Sequence, residues 1–420
     1  MPVAPPRPTR TRRPVRPTGH DAGPATPSAA SVDTRRDAPA ARRSYDLTAL
    51  HGLRILLTTW LVVHHLVRWL LRDTGIDPDT VALLRQGQGA TTGFFILSGV
   101  VLTTSWAARF RADPSLALAG TFLRRRWAAV WPLGAIGALV AVPYELVEDR
   151  LATGEFIVGL VANLALVQSW FPVGGGIHGM TLRFDGPTWT LSTLLVLYAM
   201  FPAIVLLVDR IRTKAGLVLL ALVPWLLTYG TAWALVDEPK AVWMLHVHPM
   251  VRLADFLVGI AIGTWLIRHG APRVGTARAL QVVGLAGLVA TVWCCAAFDL
   301  PREVRFGAMF IPAFAVLVSG LTVHAGVIGA VLRTRPLQYA GKRAFAVAML
   351  HTPIMGLAWH AGILRLDQPL GIAAVLATSA LLAATVHRWI EMPLRTKLRL
   401  SRAEHAERAE RARRTAAAVQ

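Results

Sequence analysis

The sequence predicts an all-α polytopic membrane protein, with about ten transmembrane helices in one bundle and a short interfacial or re-entrant segment. Of its 420 residues, 54% are hydrophobic and 16% are charged, with a mean hydropathy of +0.48, which is more apolar than soluble domains. Apolar runs of about 17 to 25 residues recur along the chain, and each is long enough to cross a bilayer as a helix. The net charge of +20 lies mainly in tails and short loops, as the positive-inside rule predicts, so we expect the lipid bilayer rather than a nucleic acid as partner.

The chain contains eleven apolar segments. They lie near residues 53–72, 88–106, 127–146, 155–171, 188–208, 214–235, 250–268, 277–297, 305–327, 339–363 and 369–389. Placing the basic loops inside and the acidic loops outside requires a single crossing between Glu155 and Asp209. The segment EFIVGLVANLALVQSWF is short and precedes the glycine-rich PVGGGIHGM, so we interpret it as interfacial or re-entrant. This leaves ten crossings in the inner (plasma) membrane, with both termini cytoplasmic.

The two ends of the chain differ from the apolar region. Residues 1–47 are rich in Pro, Arg, Ala and Thr and contain no signal-peptide core, which predicts a disordered basic cytoplasmic arm. Residues 396–420 form a charged cytoplasmic tail, and residues 48–395 form the transmembrane domain. The two cysteines, Cys294 and Cys295, are adjacent in one apolar run and supply neither a disulfide framework nor a metal site. We expect no metal.

Ionisable residues recur inside the predicted spans. Arg54 lies at the inner mouth of the first span, and His65 is eleven residues, or about 16 Å, further along the same helix face. His351 starts from the same side and reaches a similar depth, so the two histidines are expected to meet. Such residues usually face a bundle interior or a wet cavity, although a histidine bonded to a neighbouring helix is the alternative. His64 points about 100° away, which favours packing or a helix–helix hydrogen bond.

Seven short motifs occur in order along the predicted spans. They are GLRILLTTWLVVHH, GFFILSGVVL, RRRWAAVWPLG, TWTLSTLLVLYAMFP, RLADFLVGIAIG, LQYAGKRAFAVAMLHTPI and HRWIEMPLR, and together they cover residues 48–395. Their order and spacing resemble the acyltransferase-3 family of membrane-bound O-acyltransferases. The resemblance implies transfer of an acetyl or other short acyl group from acyl-CoA, a co-substrate rather than a bound cofactor, to a hydroxyl of a sugar, glycan or glycosylated metabolite.

The intramembrane residues suit that chemistry. The thioester of acyl-CoA is already activated. The enzyme therefore needs a base for the acceptor hydroxyl, a hydrogen-bond donor for the oxyanion and cations for the CoA phosphates. Histidine suits the first task, and we expect His65 to be this base, with His351 as a second acid/base or orienting partner. The cations expected to bind the CoA phosphates are Arg54, Arg124, Arg125 and Arg126. Positive-inside anchoring is the alternative role of the arginine run.

Two positions depart from the family pattern. The WSLS-like element usually continues to a glutamate, but Leu194 occupies that place here, and Ala129 stands where the arginine motif usually repeats. We expect Asp255 or Asp185 to supply the missing acid. Three further residues are expected to be structural or to line the substrate site: Ser98, Trp189 and Glu391. Ser98 favours close helix packing, and Glu391 is expected either to form a structural salt bridge or to take part in function.

Two other functions remain open at this point. A transporter or flippase for a lipid or metabolite would also use buried His and Arg, but the sequence shows no convincing internal repeat. An acyltransferase-like scaffold that carries out different acid/base chemistry on a hydrophobic substrate would need no CoA, and the missing glutamate leaves this alternative open.

Overall fold

The computed structural model describes residues 43–70, 77–148, 153–170, 184, 186–298, 300–306 and 308–399. Within these ranges the chain is helical and contains no strand, so the predicted all-α class is confirmed. The helices are α1 (Thr48–Leu70), α2 (Pro78–Leu84), α3 (Ala90–Ala112), α4 (Leu116–Glu148), α5 (Thr153–Ala165), α6 (Trp189–Asp209), α7 (Lys214–Ala234), α8 (Pro249–His269), α9 (Val274–Ala297), α10 (Arg302–Arg305), α11 (Ile311–Gly320), α12 (Gly326–Leu332), α13 (Arg335–Gly341), α14 (Ala344–His360), α15 (Pro369–Val386) and α16 (Met392–Arg399). Most of the predicted arm and tail lies outside the described residues.

Eight helical stretches in the described part of the chain are long and apolar enough to cross a membrane. They account for eight of the ten predicted crossings. The other two predicted crossings, 305–327 and 339–363, contain the shorter helices α11, with ten residues, and α14, with 17 residues. At 1.5 Å per residue, α14 is about 25 Å long. Both helices contain a proline, Pro312 at the start of α11 and Pro353 inside α14.

The short segment between the third and fourth long crossings is helix α5. Its 13 residues span about 20 Å, which is less than a hydrocarbon core of about 30 Å. It packs against α4, where Trp131 Nε1 donates to the carbonyl of Leu164 over 2.9 Å. Asn163 and Thr188 then join its end to the start of α6 through a side-chain hydrogen bond of 3.1 Å.

Helices α3 and α8 cross at the centre of the bundle, with two glycines at the contact. A methyl group at Gly99 would lie 2.4 Å from the Phe256 carbonyl oxygen, and one at Gly259 would lie 2.1 Å from that of Ile96. No side chain fits at these distances. Small residues at such positions let two helices approach closely in a bilayer, where packing drives association.

Helix α1 is fixed against the C-terminal part of the bundle by similar contacts. Gly52 faces the backbone of Leu332, and Gly341 faces the backbone of His51. Further along, the Thr58 hydroxyl donates to the carbonyl of Ala344 over 3.2 Å. These contacts set the position of α1 relative to α14, and each of these two helices carries one of the predicted histidines.

Candidate functional site

Helices α1 and α14 bring two imidazole rings into direct contact. Nδ1 of His65 lies 2.7 Å from Nε2 of His351, and the rings are nearly parallel with centroids 5.0 Å apart. His351 is fully buried and His65 is half-buried. The Thr352 hydroxyl oxygen lies at a longer 3.3 Å from the same His351 nitrogen. The structure therefore joins the two histidines that the sequence placed at matching depth.

The carbonyl of Val347 sets the direction of the hydrogen bonds through this pair. Nδ1 of His351 lies 3.1 Å from that oxygen, and because a carbonyl only accepts, this nitrogen carries the proton. In a neutral ring the lone pair of His351 is then on Nε2, so Nδ1 of His65 donates to it. The remaining lone pair is on Nε2 of His65. None of the described residues forms a hydrogen bond with this nitrogen, so His65 presents an open acceptor, as a general base requires.

The neighbouring His64 has a different partner. Its Nδ1 donates to the carbonyl of Arg85 over 2.6 Å, and the close approach of Gly87 to its Cβ leaves no room for a side chain there. His64 thus ties α1 to the 3₁₀ turn Arg85–Gly89. Of the two roles that its direction on α1 favoured, packing or a helix–helix hydrogen bond, this contact corresponds to the hydrogen bond.

A second buried polar cluster surrounds Arg252 in α8. Its Nη1 lies 2.9 Å from Oδ2 of Asp255, and the two side chains are each only 2% exposed. Its Nε donates to the carbonyl of His246 over 2.7 Å, and Nη2 donates to the carbonyl of Phe306. Nη2 also donates to Nδ1 of His246 over 2.8 Å. The predicted catalytic residue Asp255 is therefore bound to Arg252, rather than to His65 or His351.

Aromatic rings enclose this Arg252 cluster. The guanidinium carbon lies 5.8 Å from the ring centre of Trp189 and 6.0 Å from that of Phe95, and such contacts stabilise a desolvated cation. The Trp189 ring is also 4.8 Å from the His246 ring. Trp189, which the sequence placed among the structural or substrate-lining residues, is 4% exposed and packs against the cluster.

Helix α1, which carries His65, contacts the segment beside the Arg252 cluster. Trp60 of α1 packs its ring edge-on to Phe310, with ring centres 5.6 Å apart. Phe310 follows four residues after Phe306, whose carbonyl accepts a hydrogen bond from Arg252. The two clusters are built from different helices, and this aromatic contact links the segments next to them.

The predicted phosphate-binding arginines have different neighbours. Nη1 of Arg54 donates to Nδ1 of His51 over 3.3 Å, one turn towards the start of α1. In α4, the guanidinium of Arg125 lies 5.9 Å from the Trp106 ring and that of Arg126 lies 5.7 Å from the Phe122 ring. Arg124 is partly buried like these two. Arg125 and Arg126 thus rest on one aromatic side chain of α3 and one of α4.

Three other predicted residues have local partners. The Ser98 hydroxyl donates to the carbonyl of Phe94 in its own helix over 2.9 Å, and the close helix contact is made by Gly99. Oε2 of Glu391 lies 2.7 Å from Nδ1 of His387, four residues earlier, and Glu391 is 4% exposed. Leu194, at the place of the family glutamate, is buried in the apolar core. Asp185 lies outside the described residues.

Sequence reasoning missed Arg252 and His246 as parts of one cluster. His248, two residues after His246, has a different role, since it accepts from the backbone N–H of Met250 at the start of α8. The sequence feature that could have predicted this cluster is an arginine three residues before Asp255 in an apolar run. A buried charge there requires a partner, and i, i+3 places the two side chains on one helix face.

Comparisons with known proteins agree with this architecture. A family model described as an acyltransferase domain matches residues 47–388. The chain is 29% identical over 328 residues to acyltransferase MdmB of Streptomyces mycarofaciens, which covers 73% of this chain and 78% of that protein. It is 24% identical over 324 residues to peptidoglycan O-acetyltransferase OatA of Listeria monocytogenes, covering 72% of this chain and 50% of that protein. The chain thus corresponds to about half of OatA. No solved structure matches the chain.

Proposed function

The chain belongs to the acyltransferase family whose model spans residues 47–388, and from this premise we propose that it transfers an acetyl or other short acyl group from acyl-CoA to a hydroxyl. The acceptor we propose is a sugar, a glycan or a glycosylated metabolite. The observation that carries the proposal is the open Nε2 of His65, whose other ring nitrogen donates to His351. Acyl-CoA is a co-substrate that leaves as CoA.

The histidine pair performs the proton transfers in this proposal. Nε2 of His65 takes the proton of the acceptor hydroxyl while the hydroxyl oxygen attacks the thioester carbonyl carbon. The new C–O bond forms, the C–S bond breaks, and the CoA sulfur takes the proton back from His65, which yields an ester and free CoA. His351 holds the His65 ring in the tautomer with its lone pair outward, the role that a third group plays in hydrolase triads.

Arginines of α1 and α4 form the proposed binding site for acyl-CoA, the acyl donor. CoA carries phosphate groups, and guanidinium ions bind phosphate through paired hydrogen bonds. Arg54 lies on the same face of α1 as His65, about 16 Å nearer its start, so a CoA bound there would extend towards the histidine pair. Arg125 and Arg126 provide further positive charge above their aromatic neighbours.

The acceptor and the membrane orientation follow from separate arguments. OatA is by name a peptidoglycan O-acetyltransferase, which supports a hydroxyl on a glycan as acceptor. The chain is a multi-pass membrane protein by its apolar helices. The basic loops at the start of α1 and between later helices support a plasma-membrane protein with both termini cytoplasmic.

The proposal is tested with labelled acetyl-CoA and propionyl-CoA, supplied to membranes that contain the protein and acceptors from its host. We expect the His65→Ala variant to lose about 10²- to 10⁴-fold in label transfer, the usual contribution of a general base. His64→Ala is the matched control, because it removes an adjacent imidazole whose partner is a backbone carbonyl. Full transfer by His65→Ala, or a larger loss in His64→Ala, contradicts the assignment of the base. No transfer by the wild-type protein contradicts the proposed donor and acceptor.

A further inference from the structure

A large cavity lies between helices α7, α8, α9 and α11, and its lining includes no member of the histidine pair or of the Arg252 cluster. Its volume is about 870 Å³, within the range of about 300 to 1,000 Å³ for sites that bind small molecules. Helix α7 packs on α8, α9 packs on α11 and α8 contacts α11, so the cavity lies between two helix pairs that meet along one side. Most of its walls are apolar, including Leu217, Trp225, Val258, Leu280, Ile311 and Val316.

One end of this cavity is basic. Arg43, Lys214, His269 and Arg273 line it, and no Asp or Glu occurs in the lining. Lys214 is the first residue of α7 and Arg273 immediately precedes α9, so two long helices also direct their positive N-terminal ends here. The cavity is therefore amphipathic, with its charge at the end where these helices begin.

The basic side chains at this end can reach a ligand. Lys214 and Arg273 are exposed, and the Lys214 ammonium lies 5.9 Å from the Trp265 ring centre. Nδ1 of His269 is buried and has no hydrogen-bond partner among the described residues. Arg43 is held in place because its Nε donates to the Ala271 carbonyl over 3.0 Å.

The neighbouring carboxylate does not neutralise this charge, because it is already paired. Oδ1 of Asp209, at the end of α6, lies 2.8 Å from Nε of Arg111 and 3.0 Å from Nη2 of Arg268. Neither of these arginines lines the cavity. The cations at the basic end thus retain an excess of positive charge.

We propose that this cavity binds an anionic phospholipid, with its phosphate at the basic end and its acyl chains along the apolar walls. The wall formed by α7 includes Val218 and Leu222, which are 54% and 38% exposed, so the cavity is open to the surrounding lipid. A soluble phosphate would use only the basic end, whereas a phospholipid fits both parts. This proposal is independent of acyl transfer, and its failure would leave the function of His65 unchanged.

The test uses the full chain, purified in detergent and examined by native mass spectrometry with phosphatidylglycerol and with phosphatidylcholine of the same chains. We expect preferential retention of phosphatidylglycerol. The Lys214→Ala/Arg273→Ala variant should lower it about tenfold or more, since each basic residue near an anionic headgroup contributes about 1 kcal/mol. The control Arg335→Ala/Lys342→Ala removes the same charge from exposed residues outside the cavity and should retain the lipid. Equal retention of both lipids, or equal loss in both variants, overturns the proposal.

A second experiment tests the apolar part of the cavity. Ala315→Trp fills the cavity from α11, and Ala279→Trp adds the same side chain at an exposed position of α9 outside it. We expect only Ala315→Trp to lower phosphatidylglycerol retention, with the thermal unfolding of each variant measured to show that it is folded. Unchanged retention in Ala315→Trp, or displacement of the lipid by soluble glycerol phosphate, contradicts a site that holds acyl chains.

Discussion

Two polar clusters lie in the interior of this bundle, and they differ in how fully their hydrogen bonds are satisfied. In the histidine pair, His65 donates through one nitrogen and its second nitrogen has no partner among the described residues. In the Arg252 cluster, each guanidinium nitrogen donates, and Asp255 is its ion-pair partner at 2.9 Å. The first arrangement leaves a lone pair ready to take a proton. The second holds its charges in a fixed network.

This difference separates a reactive group from a structural one. Both clusters occur where ionisable residues are costly, so burial alone does not distinguish them. An open acceptor on a neutral ring has a use only when a proton donor binds to it. A saturated ion pair fixes the position of its neighbours, here the His246 and Trp189 rings. We therefore expect stability to depend mainly on the Arg252 cluster, and activity mainly on the histidine pair.

The largest effect on stability is expected from Arg252→Met. It leaves the Asp255 carboxylate buried without its cation, and breaking a buried pair in this way costs about 3 to 5 kcal/mol. The free energy of unfolding of the purified protein in detergent measures this loss.

The double variant Arg252→Met/Asp255→Leu sharpens the comparison. Replacing both members of a buried pair by apolar residues of similar volume is often close to neutral, so we expect the double variant to recover much of the stability. His65→Ala should change the free energy of unfolding far less than Arg252→Met does. If His65→Ala and Arg252→Met destabilise equally, the distinction between the two clusters is wrong.

A smaller effect, on activity, is expected from His351. The His351→Ala variant removes the acceptor that holds the His65 ring, and loss of such an orienting partner typically costs about 10- to 100-fold. His351→Gln should restore part of the transfer rate, because its side-chain carbonyl can accept the hydrogen bond from Nδ1 of His65. Rates of label transfer from acetyl-CoA measure both variants. Equal rates in the two variants would show that the hydrogen bond between His351 and His65 does not contribute to the transfer rate.

The sequence predicted those features that depend on regular helix geometry. The apolar runs gave the fold class, and the fixed rise of a helix placed Arg54, His65 and His351 at their relative depths. Close helix packing at Ser98 was also expected. The contact is made by the next residue, Gly99, while Ser98 bonds within its own helix.

The remaining features depend on contacts that no local pattern records. Arg252 meets His246 because the chain forms a π-helical turn over Trp243–Val247 just before α8, and it meets the carbonyl of Phe306, 54 residues further on. Asp255 was expected to replace the missing glutamate from its chemistry alone. Which basic group lies beside it is decided by tertiary packing.

The smallest effect on stability is expected at an ion pair that is more exposed than the Arg252–Asp255 pair. Nε of Arg333 lies 3.0 Å from Oδ2 of Asp46, which precedes α1 and is 36% exposed. Burial raises the pKa of Asp46, but hydrogen bonds from Thr48 and Arg333 and the Arg333 charge outweigh it and hold the pKa below its usual value. A lowered folded-state pKa stabilises the fold above the unfolded-state value, about 3.9, and this contribution is lost as the pH falls through the folded-state pKa.

We therefore expect Asp46→Asn to lower the free energy of unfolding at neutral pH by less than about 1 kcal/mol, as solvent-accessible ion pairs do. As the pH falls through the lowered folded-state pKa of Asp46, the variant and the wild type should converge, because the wild-type carboxyl then becomes protonated. The control variant Asp367→Asn removes the same charge at an exposed position and should leave the free energy of unfolding at neutral pH nearly unchanged. Unfolding measured in detergent at neutral and at acidic pH tests this prediction. A loss at neutral pH as large as that of Arg252→Met would mean that burial does not set the strength of these pairs, and that the Arg252 cluster is not distinct in its contribution to stability.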